Sequence, residues 1–176
     1  MAVLVEGISV IVKVDAIETT YPGGWAAYRD DCPNATLCSD NELARIGFMG
    51  PDDVKHFIDK LERMGLRHLV DGKAKDIVVV DQMVGPCSPC DWVEWGHLGI
   101  DKDLHTVAAC RLKQSEETKV FLPEGWRYEE SLTAQFHFIP GEKLDSQLKL
   151  IGTKGNVQEY YDPLTGKRLF RGKAIQ

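Results

Sequence analysis

The chain has no long apolar run, no block of lysine and arginine, and no glycine-rich phosphate loop. Each absence removes a class of protein. A membrane-spanning helix needs about 20 consecutive apolar residues, and nothing here approaches that. Met1 to Val14 is apolar, but Glu6 and Lys13 interrupt it, and it lacks a basic start and a small-residue cleavage site. It reads as a first strand rather than a signal peptide. Lysine and arginine number 21 against 27 acidic residues, a formal charge of −6. Nucleic acids and anionic membranes select a concentrated basic face, so neither is expected as a partner. The local cluster Lys167, Arg168, Arg171 and Lys173 reads as a solvated hairpin. Gly-x-x-x-x-Gly-Lys and Gly-x-Gly-x-x-Gly are both missing, which removes the usual nucleotide loops. Cysteine is sparse and odd in number, with no framework spacing among Cys32, Cys38, Cys87, Cys90 and Cys110. That usage fits a reducing, cytoplasmic compartment. The sequon Asn34-Ala35-Thr36 then reads as chance.

What is present is ordinary globular material. Hydrophobic residues make up 43% of the 176, enough for a substantial core, and no low-complexity linker divides them. Residues 1–176 are therefore expected to form a single compact α+β domain. Val3 to Val14 reads as one strand, with Asp15 and Glu18 spaced as a capping box for a short helix that must stop before Pro22. Trp25 to Asp31 suits another turn or two of helix. Pro51 to Met64 carries the strongest helical signal. Pro51 fits a first helical position, Asp52 and Asp53 suit the positive end of the dipole, and Val54, Phe57, Ile58 and Leu61 form a stripe. Gly65 then suits a left-handed cap.

Strands are expected on both sides of that helix, over Leu43 to Met49, Leu66 to Val70 and Lys75 to Met83. Asp71-Gly72 supplies a hairpin turn between the last two. After Asp91 the pattern turns to short strands. They are expected over Trp92–Leu98, Leu104–Leu112, Lys119–Leu122, Leu132–Ile139, Leu148–Gly152 and Val157–Tyr161, with Leu169-Phe170 returning after Asp162 to Gly166.

One segment suggests chemistry, Gly85-Pro86-Cys87-Ser88-Pro89-Cys90-Asp91-Trp92. A C-x-x-C pair is close enough to share a metal or exchange a disulfide. For zinc, His97 and Cys110 are the nearest further ligands to Cys87 and Cys90, and no second close pair accompanies them. A redox pair should open a helix, whereas Asp91 to Gly96 alternates like a strand. The reading we favour is a tight loop with both thiols packed as small apolar groups. Trp92, Glu94, Trp95 and Trp126 are candidates for lining a ligand pocket or interaction patch, against the plainer role of core aromatics at a sheet rim. The histidines are scattered, and none stands at a telling interval from a nucleophile or carboxylate.

The β-α-β-β unit over Leu43 to about Val84 resembles the modules of the glyoxalase and bleomycin-resistance superfamily. That resemblance implies a His or Glu metal ligand on module strands, and Leu43 to Met49 carries neither. A weaker echo, Ile8 to Ile17, is compatible with two β-α-β-β-like halves. The expected architecture is a mostly antiparallel sheet with two or three helices packed on one face. The expected function is non-enzymatic binding of a protein partner or small ligand through a tryptophan-rich sheet surface, in the manner of an inhibitor or immunity protein, without a cofactor. The competing reading is a zinc protein or small-molecule enzyme built on the Cys87–Cys90 loop, and a homodimer burying a strand edge is a third.

Overall fold

The computed structural model describes residues 1–102, 105–116, 118–135, 148–155, 157–163, 166 and 168–172. The first apolar run is broken by one residue. Gly7 has a φ of +58°, so the chain turns a corner between β1 (Ala2–Val5) and β2 (Ile8–Lys13). The single strand expected over Val3 to Val14 is thus two strands in two different sheets, because glycine enters the left-handed region without a Cβ clash. β2 runs directly into α1 (Val14–Thr20), which is followed by α2 (Gly24–Asp30). The expected capping box does not form. Asp15 lies inside the helix, Lys13 is the N-cap, and no side chain caps the end.

Next come β3 (Cys38–Ser39), β4 (Leu43–Phe48) and α3 (Pro51–Arg63). Helix α3 follows its sequence pattern closely, burying Val54, Phe57, Ile58 and Leu61, with Gly65 at φ +100° just beyond it. Asp71 and Gly72, at φ +51° and +76°, turn a small hairpin of β5 (Leu69–Val70) and β6 (Lys73–Ala74). This hairpin stands apart as its own sheet, so the strand beginning at Leu66 is shortened to two residues. β7 (Ile77–Asp81) and β8 (Gly85–Pro86) complete the first half.

The principal sheet has the order β3-β4-β2-β7-β8, with antiparallel neighbours throughout. β4 and β7 flank β2 rather than pairing with each other, so α3 crosses over β2. The sheet therefore interleaves an earlier strand into the β-α-β-β unit read from sequence. Helices α1, α2 and α3 cover one face. Ile8, Val10, Val12, Ala44, Ile46, Ile77 and Val79 of the sheet meet Ile17, Tyr28, Phe57 and Leu61 of the helices there.

The other face packs on a second sheet of β9 (Val93–Ile100), β10 (His105–Leu112), β11 (Val120–Phe121) and the returning β1, in the order β11-β1-β10-β9. Ile11, Leu43, Val78 and Val80 meet Val3, Val5, Val107 and Cys110 in this inter-sheet core. Among the described residues the layers are thus helix, sheet, sheet. A 3-10 turn at Tyr128–Glu130 leads into α4 (Leu132–Gln135), where a strand was expected. The remainder of that expected strand, 136–139, lies outside the described residues, as do Asp103, His137, Lys167 and Lys173. An antiparallel meander of β12 (Lys149–Lys154), β13 (Val157–Tyr161) and β14 (Arg168–Gly172) follows.

The corner at Gly7 gives a direct test. A Cβ there would lie 2.7 Å from the Phe48 carbonyl oxygen, on backbone of positive φ. Gly7→Ala is expected to destabilise the protein by about 1–3 kcal/mol in urea unfolding, and an unchanged midpoint would contradict the need for glycine at this corner.

Candidate functional site

Strand alternation divides β4 cleanly. Ala44, Ile46 and Phe48 face the helices, which sends Leu43, Arg45 and Gly47 toward the second sheet. Arg45 consequently carries its guanidinium into the interior, where it is only 2% exposed. Its Nε donates to Ser9 Oγ at 2.9 Å, its Nη2 to the Glu6 carbonyl at 2.9 Å and its Nη1 to the Thr36 carbonyl at 3.3 Å. All three acceptors are neutral, and among the described residues Arg45 forms no ion pair. Burial pulls this guanidinium below its ordinary value, offset in part by negative groups that include Glu6.

The seat is shaped for it. A Cβ at Gly47 would collide with Nη2 and lie 2.8 Å from Cζ, so the guanidinium occupies the volume that this glycine leaves empty. Asn34 and Thr36 hold a turn against the same backbone. Asn34 Nδ2 donates to the Gly47 carbonyl at 2.9 Å, and the Gly47 N–H donates to Thr36 Oγ1 at 2.8 Å. The two polar positions of the sequon are thus used to fix this turn.

Glu6 supplies the opposite wall. Its carboxylate is buried at the β1–β2 corner and accepts the Trp126 indole N–H at 3.1 Å. Its other oxygen accepts the Thr133 N–H at 3.1 Å and the Thr133 hydroxyl at 2.6 Å. These bonds strap residues 123–133 across the corner. Tyr128 extends the anchorage, with its ring 3.8 Å from that of His105 and 6.4 Å from that of Trp126. Between strap, Asn34–Thr36 turn and the end of β4 lies an open cleft of about 570 Å³, with Arg45, Glu6, Thr36, Phe48, Met49 and Trp126 on its walls.

Of the residues picked out from sequence, Trp126 alone reaches this cleft. Trp92 donates its indole N–H to the Ala74 carbonyl at 3.1 Å and carries the Lys13 ammonium 4.8 Å above its ring. Glu94 points outward to Arg111 at 2.8 Å. Trp95 lies against Gly85, where a Cβ would be 3.0 Å from its ring, and packs edge-on to His97. Trp92, Trp95 and Trp126 all flank the inter-sheet core, the rim position expected of structural aromatics. Glu94, Trp95, His97 and Cys110 line a smaller cavity of about 170 Å³ away from Trp126.

Cys87 packs against the helix-side core and Cys90 against the inter-sheet core, near Cys110. Among the described residues no three His, Cys, Asp or Glu side chains gather as a metal set, and no disulfide forms. Burial raises the Cys90 thiol, and His97 is lowered by the same cause.

Sequence reading passed over Glu6, Arg45 and Gly47. A polar residue in each of two apolar strands was the available signal, yet it could not reveal that the two strands meet. The class these features define is an α+β protein with a buried cation beside an open cleft. No family model, curated protein or solved structure matches the chain.

The inter-sheet thiols give a pH prediction. Burial pushes Cys38 up to about 11 from 9.0, and raises Cys110 as well. Below pH 9 folded and unfolded chains both keep these protons, so stability is unaffected. Above it the unfolded chain releases them first, and stability falls by up to about 1.4 kcal/mol per pH unit for each thiol. Urea midpoints in reducing buffer should therefore drop beyond pH 9, and Cys110→Ala should flatten the decline.

Proposed function

We propose that this chain is a binding protein for a small molecule bearing an anionic group, which sits on Arg45 in the cleft beneath Trp126. One observation carries the reading: a desolvated guanidinium, bonded only to neutral acceptors, forms part of an open cleft. A buried charge with no direct ion pair is unfavourable, and an anionic ligand supplies that pairing through charge-assisted bonds. A guanidinium also has more donors than these three bonds occupy. Phe48 and Trp126 offer apolar faces for the rest of the ligand, the usual mixture in a small-molecule site.

This reading keeps Trp126 of the candidate binding residues and leaves Trp92, Glu94 and Trp95 outside the cleft. A concave cleft suits a small molecule better than an inhibitor-type protein interface, whose support is net negative charge and the lack of a catalytic constellation in the sequence. Five cysteines without disulfides support a reducing, cytoplasmic setting. No described helix is long and apolar enough to cross a membrane.

Phenylacetate, an anion with an aromatic body, is a suitable first probe. Titration of the full chain, followed by tryptophan fluorescence, is expected to saturate. Trp126→Phe should lose the optical response while calorimetry still detects binding. Arg45→Gln should weaken binding by about tenfold or more. A folded Arg45→Gln protein with undiminished affinity would sink the proposal. Gly47→Ala, which crowds the guanidinium without removing its charge, should weaken binding in parallel.

A further inference from the structure

The cleft does not end at Phe48. A second cavity, also about 570 Å³, shares Asn34, Phe48 and Asp53 with the first and continues past Phe57 and Lys60. Asp53 therefore lines both spaces. It lies in the first turn of α3 and is exposed, and among the described residues it has no hydrogen-bond or ion-pair partner.

Several charged residues around it are already compensated. Lys60 in the second cavity pairs with Asp31 at 3.2 Å and also donates to the Asp31 carbonyl at 3.0 Å. Asp31 receives the Tyr21 hydroxyl at 2.7 Å. At the other end Arg127 pairs with Glu130 at 3.9 Å, and the Glu6 carboxylate accepts three hydrogen bonds. Along the two spaces this leaves a buried cation at Arg45 and two exposed carboxylates with no partner among the described residues, Glu124 on the first space and Asp53 on both. A ligand with only an anion would satisfy Arg45 and run its remaining length toward a bare negative charge. A ligand with a cation at its far end would satisfy Arg45 and Asp53 together.

We propose that the ligand is dipolar, with a carboxylate on Arg45, an amine at Asp53 and an apolar body against Phe48 and Trp126. This rests on the anion-binding reading of the cleft and adds the cationic end. Phe48 packs on Phe57 at 5.5 Å, and both rings line the second space.

Three related probes separate the contributions: glycyl-L-phenylalanine, its N-acetyl form without the cation, and its C-terminal amide without the carboxylate. Calorimetric titration of the full chain is expected to show binding of the free dipeptide, about tenfold weaker binding of the acetyl form, and little binding of the amide. Asp53→Asn should bring the free and acetylated peptides to equal affinity, while leaving the acetylated one unchanged. Equal affinities on the wild type would overturn the dipolar assignment and leave the anion site standing, as would a preference that survives Asp53→Asn. An amide that binds as well as the acid would overturn the Arg45 reading itself. Failure of all three probes to bind would overturn both.

Discussion

The corner between Glu6 and Gly7 is the constraint on which the rest of the architecture depends. There one apolar run leaves one sheet and enters the other, at a backbone conformation that glycine adopts without strain. Gln82 clamps the corner from both sides, its N–H donating to the Gly7 carbonyl at 2.9 Å and its Oε1 accepting the Gly7 N–H at 2.9 Å. The Ser9 hydroxyl ties back to the Glu6 carbonyl at 3.1 Å. The same two residues then do separate things. The Glu6 backbone receives the Arg45 guanidinium, and the Glu6 side chain holds the Trp126 strap. Fold and candidate site are thus fixed by one turn.

Two consequences follow for energetics. Most of the interior is apolar and close-packed on both faces of the principal sheet, so burial of β2, β4 and β7 supplies the main stabilisation. Into that interior the chain places one guanidinium, held by three hydrogen bonds and by the absence of a side chain at Gly47. Such a group contributes little as a stabilising element, since its desolvation opposes its bonds. Its position beside a cleft is the observation on which the proposed binding function rests.

Much of the fold was legible because local rules governed it. Helix α3 has an apolar stripe, a proline at its start and a glycine after its end, and each signal acts within a turn of its own residue. The Asp71-Gly72 hairpin is legible for the same reason. The split of the first strand was less visible, since a lone glycine in an apolar run does not announce whether the chain continues straight. Asp15 and Glu18 had the spacing of a capping box, but β2 hands its last residue directly to α1, so Asp15 falls one step inside. The segment after Ser131 is apolar enough for a strand, yet Ser131 Oγ accepts the Ala134 N–H at 3.1 Å and starts a helical turn instead.

The candidate site was the least legible part. The cysteine loop drew attention because its spacing is chemical, but β7 and β8 place Cys87 and Cys90 against different cores. By itself the sequence determined an α+β composition, the position of α3, the alternating strands and the lack of a long apolar run, all properties of short range or of bulk composition. The tertiary structure alone decided that Glu6, Arg45, Trp126 and Thr133 are neighbours. They are up to 127 residues apart in the chain, and their meeting depends on sheet order and on a corner at one glycine, which no local pattern encodes.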